Sequence, residues 1–172
     1  MKVGLNVGSG QRPFTSNPEV NWYNVDSQEK WHPDFCCDGA NIPTADESAD
    51  YFILHHCLEH YGLGEASGLI QEAHRVLKHG GRLLIFIPDV KALARKWLDG
   101  GINDYIFMVN MMGAYCGDEA DRHRWHYTEQ GLKEFLYNCA EWEKVIPFNW
   151  TVIPGSDFAR DWWILAYEAV KG

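Results

Sequence analysis

Apolar positions change period along this chain, and the changes mark its elements. Lys2–Val7, Trp22–Val25 and Phe35–Cys37 are short β-prone runs that stop at Gly8-Ser9-Gly10, at Asp26 and at Asp38. Tyr51–His55 is a fourth such run. Glu65–Leu77 then switches to helical spacing, with Leu69, Ile70, Ala73, Val76 and Leu77 on one face, and Gly80-Gly81 is expected to end that helix. Arg82–Ile87 is nearly continuous apolar sequence, as in a strand buried on both faces, and Pro88-Asp89 closes it. A strand, a helix and a second strand in this order predict a parallel pair with a right-handed crossover.

Val90–Leu98 reads as a helix. Ile102–Tyr115 reads as another, with Ile106, Val109 and Met112 on one side, and it suits either a lid over a pocket or a core-packing helix. Thr128 is placed to N-cap a helix running to Cys139 with Leu132, Phe135 and Leu136 inward. Glu143–Phe148 and Trp162–Tyr167 are β-prone and separated by a loop holding Pro154 and Gly155, so they are expected to pair antiparallel. The pattern predicts an α/β domain over 1–172, with a mostly parallel, doubly wound sheet and a C-terminal antiparallel hairpin. Little chain is left for helices after strands one and two, which must be trimmed. A lid or acceptor-binding insertion is expected near 99–127.

Composition narrows the function classes. The 172 residues carry a net charge of −9, which opposes a phosphate backbone, so no nucleic-acid partner is expected. No apolar run is long enough to cross a bilayer and Met1–Ser9 lacks a signal-peptide layout, so a cytoplasmic protein without a membrane partner is expected. Five cysteines without a C-x-x-C pair suggest neither a disulfide framework nor the usual zinc spacing. Eight each of Trp, Tyr and Phe suit packing or an aromatic-lined pocket.

Glycine or acid at successive parallel strand ends is where an open α/β sheet binds its ligand. Gly8 and Gly10 bare the backbone so that a cofactor can lie against its N–H groups, and Asp26 is placed to accept from both hydroxyls of a ribose. Asp38 falls one strand further, where an adenine amine would lie. A dinucleotide enzyme would show a third glycine opening a long helix and an acid about 20 residues on. Here Gly10 leads into Gln11-Arg12-Pro13, and Asp26 comes too soon for a full helix, so a pyrophosphate would lack its usual seat. An adenosyl cofactor without a pyrophosphate fits better.

The order LNVGSG, NVD, DGANIPTADESADYFILHHCLEH and EAHRVLKHGGRLLIFIPD resembles the class I S-adenosylmethionine (SAM)-dependent methyltransferases, specifically the type 11 group. The short spacer between LNVGSG and NVD, and the later HRWHYTEQGLKEFL, resemble a compact subgroup of predicted methyltransferases that is frequently associated with surface-polysaccharide genes. The resemblance implies a Rossmann-like sheet. It places Gly8, Ser9 and Gly10 under the methionine part of SAM, Asp26 at the ribose and Asp38 at the adenine. Gly39, Ala40 and Ile42 would flank the adenine, and His55 and His56 would lie near the sulfonium. Asn6 departs from the pattern, standing where many members have an acid that helps hold the methionine amine.

For catalysis the candidates are His126, His56 and His55. The subgroup resemblance aligns His126, not His123, with a recurring histidine, which makes His126 the favoured acceptor-site base. His56, Glu59 and His60 read H-x-x-E-H and hold three potential metal ligands, but a structural role is expected for them and no metal is assigned. Arg122 and Arg124 read as a solvated pair. Among Trp125, Trp162 and Trp163, core packing is expected for at least two. The expected activity is methyl transfer from SAM to a small-molecule or sugar-like acceptor, releasing S-adenosylhomocysteine, with a surface-polysaccharide role implied by the subgroup. A non-catalytic SAM-binding regulatory or scaffold module is the alternative, ahead of an NAD-dependent oxidoreductase.

Overall fold

The computed structural model describes residues 1–114, 118–149 and 161–172. Among the described residues, seven strands form one sheet in the order β3-β2-β1-β4-β5-β7-β6. The strands are β1 (Lys2–Val7), β2 (Val20–Asp26), β3 (Phe35–Cys36), β4 (Ala49–His55), β5 (Leu77–Pro88), β6 (Trp142–Pro147) and β7 (Ile164–Lys171). β1, β2, β3, β4 and β5 pair in parallel, while β7 runs antiparallel between β5 and β6. The chain winds outward from β1 through β2 to β3 and crosses back to β4, so the switch point lies between the tips of β1 and β4. No helix among the described residues is long and apolar enough to cross a membrane.

Four α-helices among the described residues accompany the sheet: α1 (Leu63–Val76), α2 (Val90–Leu98), α3 (Asp104–Met112) and α4 (Glu129–Cys139). Inward residues of α1 and α4 join Leu5, Val7, Phe52, Leu54, Leu83 and Ile85 in the main core. Thr128 caps α4 as its sequence predicts, its Oγ1 accepting from Gly131 N. On the opposite face, Trp22, Tyr51, Ile53, Leu84, Phe86 and Phe148 form a second cluster, with Phe14 packed against it and no helical residue in it. Gly4 makes room for this layer, since a Cβ there would fall 2.2 Å from the Trp22 ring.

The connection from β1 to β2 contains no helix, and the one from β2 to β3 holds a single 3-10 turn at Glu29–Trp31. Side chains take over the fastening. Asn24 Oδ1 accepts from Phe14 N and its Nδ2 donates to Phe14 O, while Asn6 Nδ2 donates to Arg12 O and to Asn24 Oδ1. Asn6, the departure from the family pattern, is therefore buried and occupied in anchoring the shortened loop.

Two expectations need correction. Gly80-Gly81 does not end α1: the helix stops at Val76, and β5 starts at once because Leu77 is buried in register with Ala49. The two glycines lie within the long β5 segment, with Gly80 at φ 75°. The stretch after α2 is not a core-packing helix either, because α3 buries no residue. It rests on α2 through a parallel stack of Trp97 on Phe107 with centroids 4.5 Å apart, and Ile106 and Met112 stay exposed. Tyr115, Pro154 and Gly155 lie outside the described residues.

Glu72 ties α1 to the loop before β4, accepting from Ile42 N at 2.7 Å and from Arg75 at 2.7 and 2.8 Å. Burial alone would raise its carboxyl pKa, but the Arg75 and Ile42 hydrogen bonds outweigh it and hold the group below its ordinary value. A depressed folded-state pKa adds stability that is fully present above the unfolded value of about 4.3 and is lost as pH falls through the folded value. Glu72→Gln should flatten the dependence of unfolding free energy on pH below about 4.3, measured by urea melts at successive pH values. An unchanged acid slope would remove Glu72 from that role.

Candidate active site

The tips of β1, β2 and β4 enclose a cleft of about 630 Å³ lined by Gly8, Gly10, Asp26, Gly39, His56 and Tyr61, among others. A second chamber of about 580 Å³ shares Gly8, Gly10, Gln11, His56 and Asp121 with it and adds Asn6, Ser9, Arg12, His55, Asp161, Trp163 and Ile164. His56 thus stands on the wall common to both. A larger open groove between α2 and α4 holds none of the strand-tip residues and lies away from this chemistry.

Gly8 turns at φ 69°, and a Cβ there would meet Cys57 Sγ at 2.5 Å, so only a bare Cα lets β1 end against the β4 tip. The backbone N–H groups of the loop are not offered to a cofactor as the sequence suggests. Gly8 N and Ser9 N both donate to Val25 O, and Gly10 N donates to Asp26 Oδ2 at 2.8 Å. With no helix after β1 to arrange these donors, the neighbouring strand satisfies them. What the loop presents to a ligand is glycine surface rather than N–H groups.

Asp26 is mostly buried at the end of β2, and its Oδ1 accepts from Gln28 N at 2.8 Å. Each carboxylate oxygen therefore takes one backbone donor and keeps further acceptor capacity for two ribose hydroxyls. Asp38 Oδ1 accepts from Ala40 N at 3.0 Å and from Tyr61 Oη at 3.4 Å, at the rim beside Cys37 and Gly39. Ile42 is buried in the main core, and neither it nor Ala40 lines the two chambers.

At the β4 tip His56 adopts φ 53°, a left-handed conformation uncommon outside glycine and asparagine. Its Nδ1 lies 3.1 Å from Glu59 Oε1, and its ring stacks on Trp163 with centroids 5.1 Å apart. Glu59 sits in a 3-10 turn at Leu58–His60 and is 1% exposed. Burial would raise its pKa, but the His56 hydrogen bond and the nearby His60 outweigh burial and hold it below its ordinary value. An ionised Glu59 only accepts, so His56 Nδ1 is the donor, which in the neutral ring puts the lone pair on Nε2. His55 is pushed down to about 4, chiefly by burial and then by His56 and Arg12, and is neutral at pH 7.

The strap from Asp118 to Tyr127 returns over this end of the sheet. Arg124 N and Trp125 N both donate to Glu59 O, Lys30 pairs with Asp118 at 2.6 Å, and Asp118, Ala120 and Asp121 line the first cleft. His126 lines neither chamber, and its Nε2 hydrogen-bonds the Met111 carbonyl at the end of α3. Arg122 and Arg124 pair with Glu119 and Glu65 on the surface. Trp125 and Trp162 are exposed, which corrects the expected core packing, and Trp163 faces the second chamber instead. The Glu59–His56 contact was hidden in the sequence, although an H-x-x-E spacing next to a strand end is compatible with it.

Strand order 3-2-1-4-5-7-6 with β7 alone reversed, a glycine turn after β1 and an acid ending β2 define the class: the chain has the fold of the class I methyltransferases. More narrowly, residues 5–85, from β1 into β5, match the family model described as a methyltransferase domain. No curated protein sequence matches this chain significantly. Solved structures with the same fold include a SAM-dependent methyltransferase from Thermotoga maritima, at 14% identity and TM-score 0.64, covering 100% of this chain and 83% of that one. A methyltransferase from Burkholderia thailandensis, solved with 1,6-didemethyltoxoflavin and S-adenosylhomocysteine, aligns at 15% identity and TM-score 0.58 over 99% of this chain and 71% of its own. A candidate O-methyltransferase from Nostoc punctiforme aligns at 12% identity and TM-score 0.63 over 98% of this chain, which spans about half (51%) of the Nostoc chain.

Proposed function

We propose that this protein methylates a hydroxyl of a small, polar, sugar-like acceptor held in the second chamber, with His56 as the base and Glu59 as its orienting partner. The observation that carries this reading is the position of His56 on the wall shared by the two chambers, with Nδ1 committed to a buried carboxylate. SAM, when bound, supplies an electrophilic methyl group and leaves as S-adenosylhomocysteine. The acceptor hydroxyl gives its proton to His56 Nε2 as its oxygen forms the new bond to carbon, and the carbon–sulfur electron pair stays with sulfur. Glu59 stabilises the imidazolium that results, and alignment of oxygen, carbon and sulfur accounts for much of the remaining acceleration.

The second chamber favours a hydroxylated ring. Arg12, Asp121 and Asp161 offer charged hydrogen-bonding groups, neutral His55 another polar contact, and Trp163 a flat face on which a sugar can rest. A sugar of the kind built into surface polysaccharides meets these requirements, and the subgroup resemblance points the same way. His126 takes the part of a fastening between the strap and α3 rather than that of the base. The test is S-adenosylhomocysteine release from SAM with a panel of nucleotide-activated sugars, free sugars, amines and thiols. Turnover with the hydroxylated sugars supports the reading; turnover confined to amines or thiols refutes it.

A further inference from the structure

Beyond the methyl-transfer chemistry, we infer that Glu59, His60 and His123 form a binding site for a divalent first-row transition metal. The three side chains come from two parts of the chain, the 3-10 turn after β4 and the returning strap, and one ligand atom from each falls within 4.8 Å of the others. This set differs from the H-x-x-E-H of the sequence, because His123 takes the place of His56.

Independent features of the geometry point to an ion. Glu59 Oε1 is taken by His56, but Oε2 is fully buried and no described residue hydrogen-bonds to it. Arg124 and Arg122 of the strap pair with Glu65 and Glu119 on the surface instead. A buried carboxylate oxygen without a donor is costly, and a cation at that atom would relieve it.

The two imidazoles are pre-set for coordination. His60 Nδ1 lies 3.2 Å from Arg122 O and His123 Nδ1 lies 3.0 Å from Asn110 O. A backbone carbonyl only accepts, so Nδ1 carries the proton in both rings, and in the neutral tautomer that this fixes Nε2 is the atom with the lone pair. A carbonyl behind each ring is the usual outer support of a metal-binding histidine, fixing its tautomer and orientation. The rings sit edge to face with centroids 4.9 Å apart.

Ligand atoms about 2.1 Å from a common ion at tetrahedral angles lie roughly 3.4 Å apart, so small side-chain rotations close the site. Two imidazoles and one carboxylate select zinc, manganese, iron or cobalt over calcium or magnesium, which prefer oxygen. Three protein ligands leave coordination positions open, and His60 also lines the cofactor cleft. The ion would pin the strap to the β4 tip.

The test is titration of chelator-treated protein with Co²⁺, followed by its visible absorption, with Zn²⁺ as competitor. One Co²⁺ should bind per chain, and His60→Ala and His123→Ala should each weaken it by at least about tenfold, since even outer-shell changes cost 10–100-fold. His126→Ala, beside the cluster but bound to Met111, and His56→Asn should both retain Co²⁺, so the result is separate from the fate of the methylation reading. Circular dichroism confirms that each variant is folded. No cobalt band in the wild-type protein, or equal binding by the His60 and His123 variants, would overturn the site and leave a histidine–carboxylate hydrogen-bond network.

Discussion

Asp26→Ala should weaken SAM binding about 100-fold while the protein still folds, as read by calorimetric titration and a thermal melt. The magnitude follows from the chemistry of the carboxylate. A hydrogen bond to a charged group contributes about 1.5–3 kcal/mol, and the loss of two to the ribose hydroxyls reaches or exceeds the 2.7 kcal/mol of a 100-fold change. The substitution also frees Gly10 N and Gln28 N from their acceptor, loosening the turn under the cofactor. Asp26→Asn keeps one acceptor oxygen and should fall between alanine and wild type. Unaltered SAM affinity in Asp26→Ala would mean that the β2 tip does not hold the ribose.

His56→Asn should lower kcat by about 100-fold or more and leave the SAM dissociation constant within about threefold, because a positioned general base contributes about 10²–10⁴ to rate. Asparagine suits this test because it tolerates the left-handed backbone that His56 adopts at φ 53°, so the β4 tip keeps its shape. It cannot take the acceptor's proton. Glu59→Gln is the companion: it keeps the side-chain volume but removes the charge that stabilises the imidazolium, and kcat should drop with a smaller effect on KM. Full turnover by His56→Asn on the preferred acceptor would transfer the base to another group. His126→Ala then becomes the decisive comparison, and on the present geometry it keeps most of its turnover.

Local pattern was enough for the strands and for the glycines and acid that line the first cleft. Alternation and apolar runs carry the strand positions, and glycine or acid at a strand end is a local signal, so Gly8, Gly10 and Asp26 were legible one by one. Even there, pattern misassigned the loop. Bare glycine suggested free N–H groups, yet Val25 O and the Asp26 carboxylate consume them, because a hydrogen-bond partner from an adjacent strand leaves no trace in the glycines themselves. Ile42 was legible as part of a family motif but not as the core residue that Glu72 holds.

The remainder depended on which distant segments meet. α3 carries the apolar content of a buried helix but packs on α2 and meets the strap without burying a residue, and nothing in its own residues reports those neighbours. The choice among five histidines was likewise undecidable from spacing. Folding brings His56 and Glu59 together at the β4 tip, lays His123 against Glu59 and His60 from about 60 residues away, and draws His126 off to the Met111 carbonyl. Sequence alone determined the order of strands and helices and the acid that ends β2, because those follow from periodicity and short-range turn chemistry. Tertiary structure decided which histidine meets the buried carboxylate, which side chains cluster at the β4 tip and how each sheet face is covered, because those contacts join residues remote in the chain.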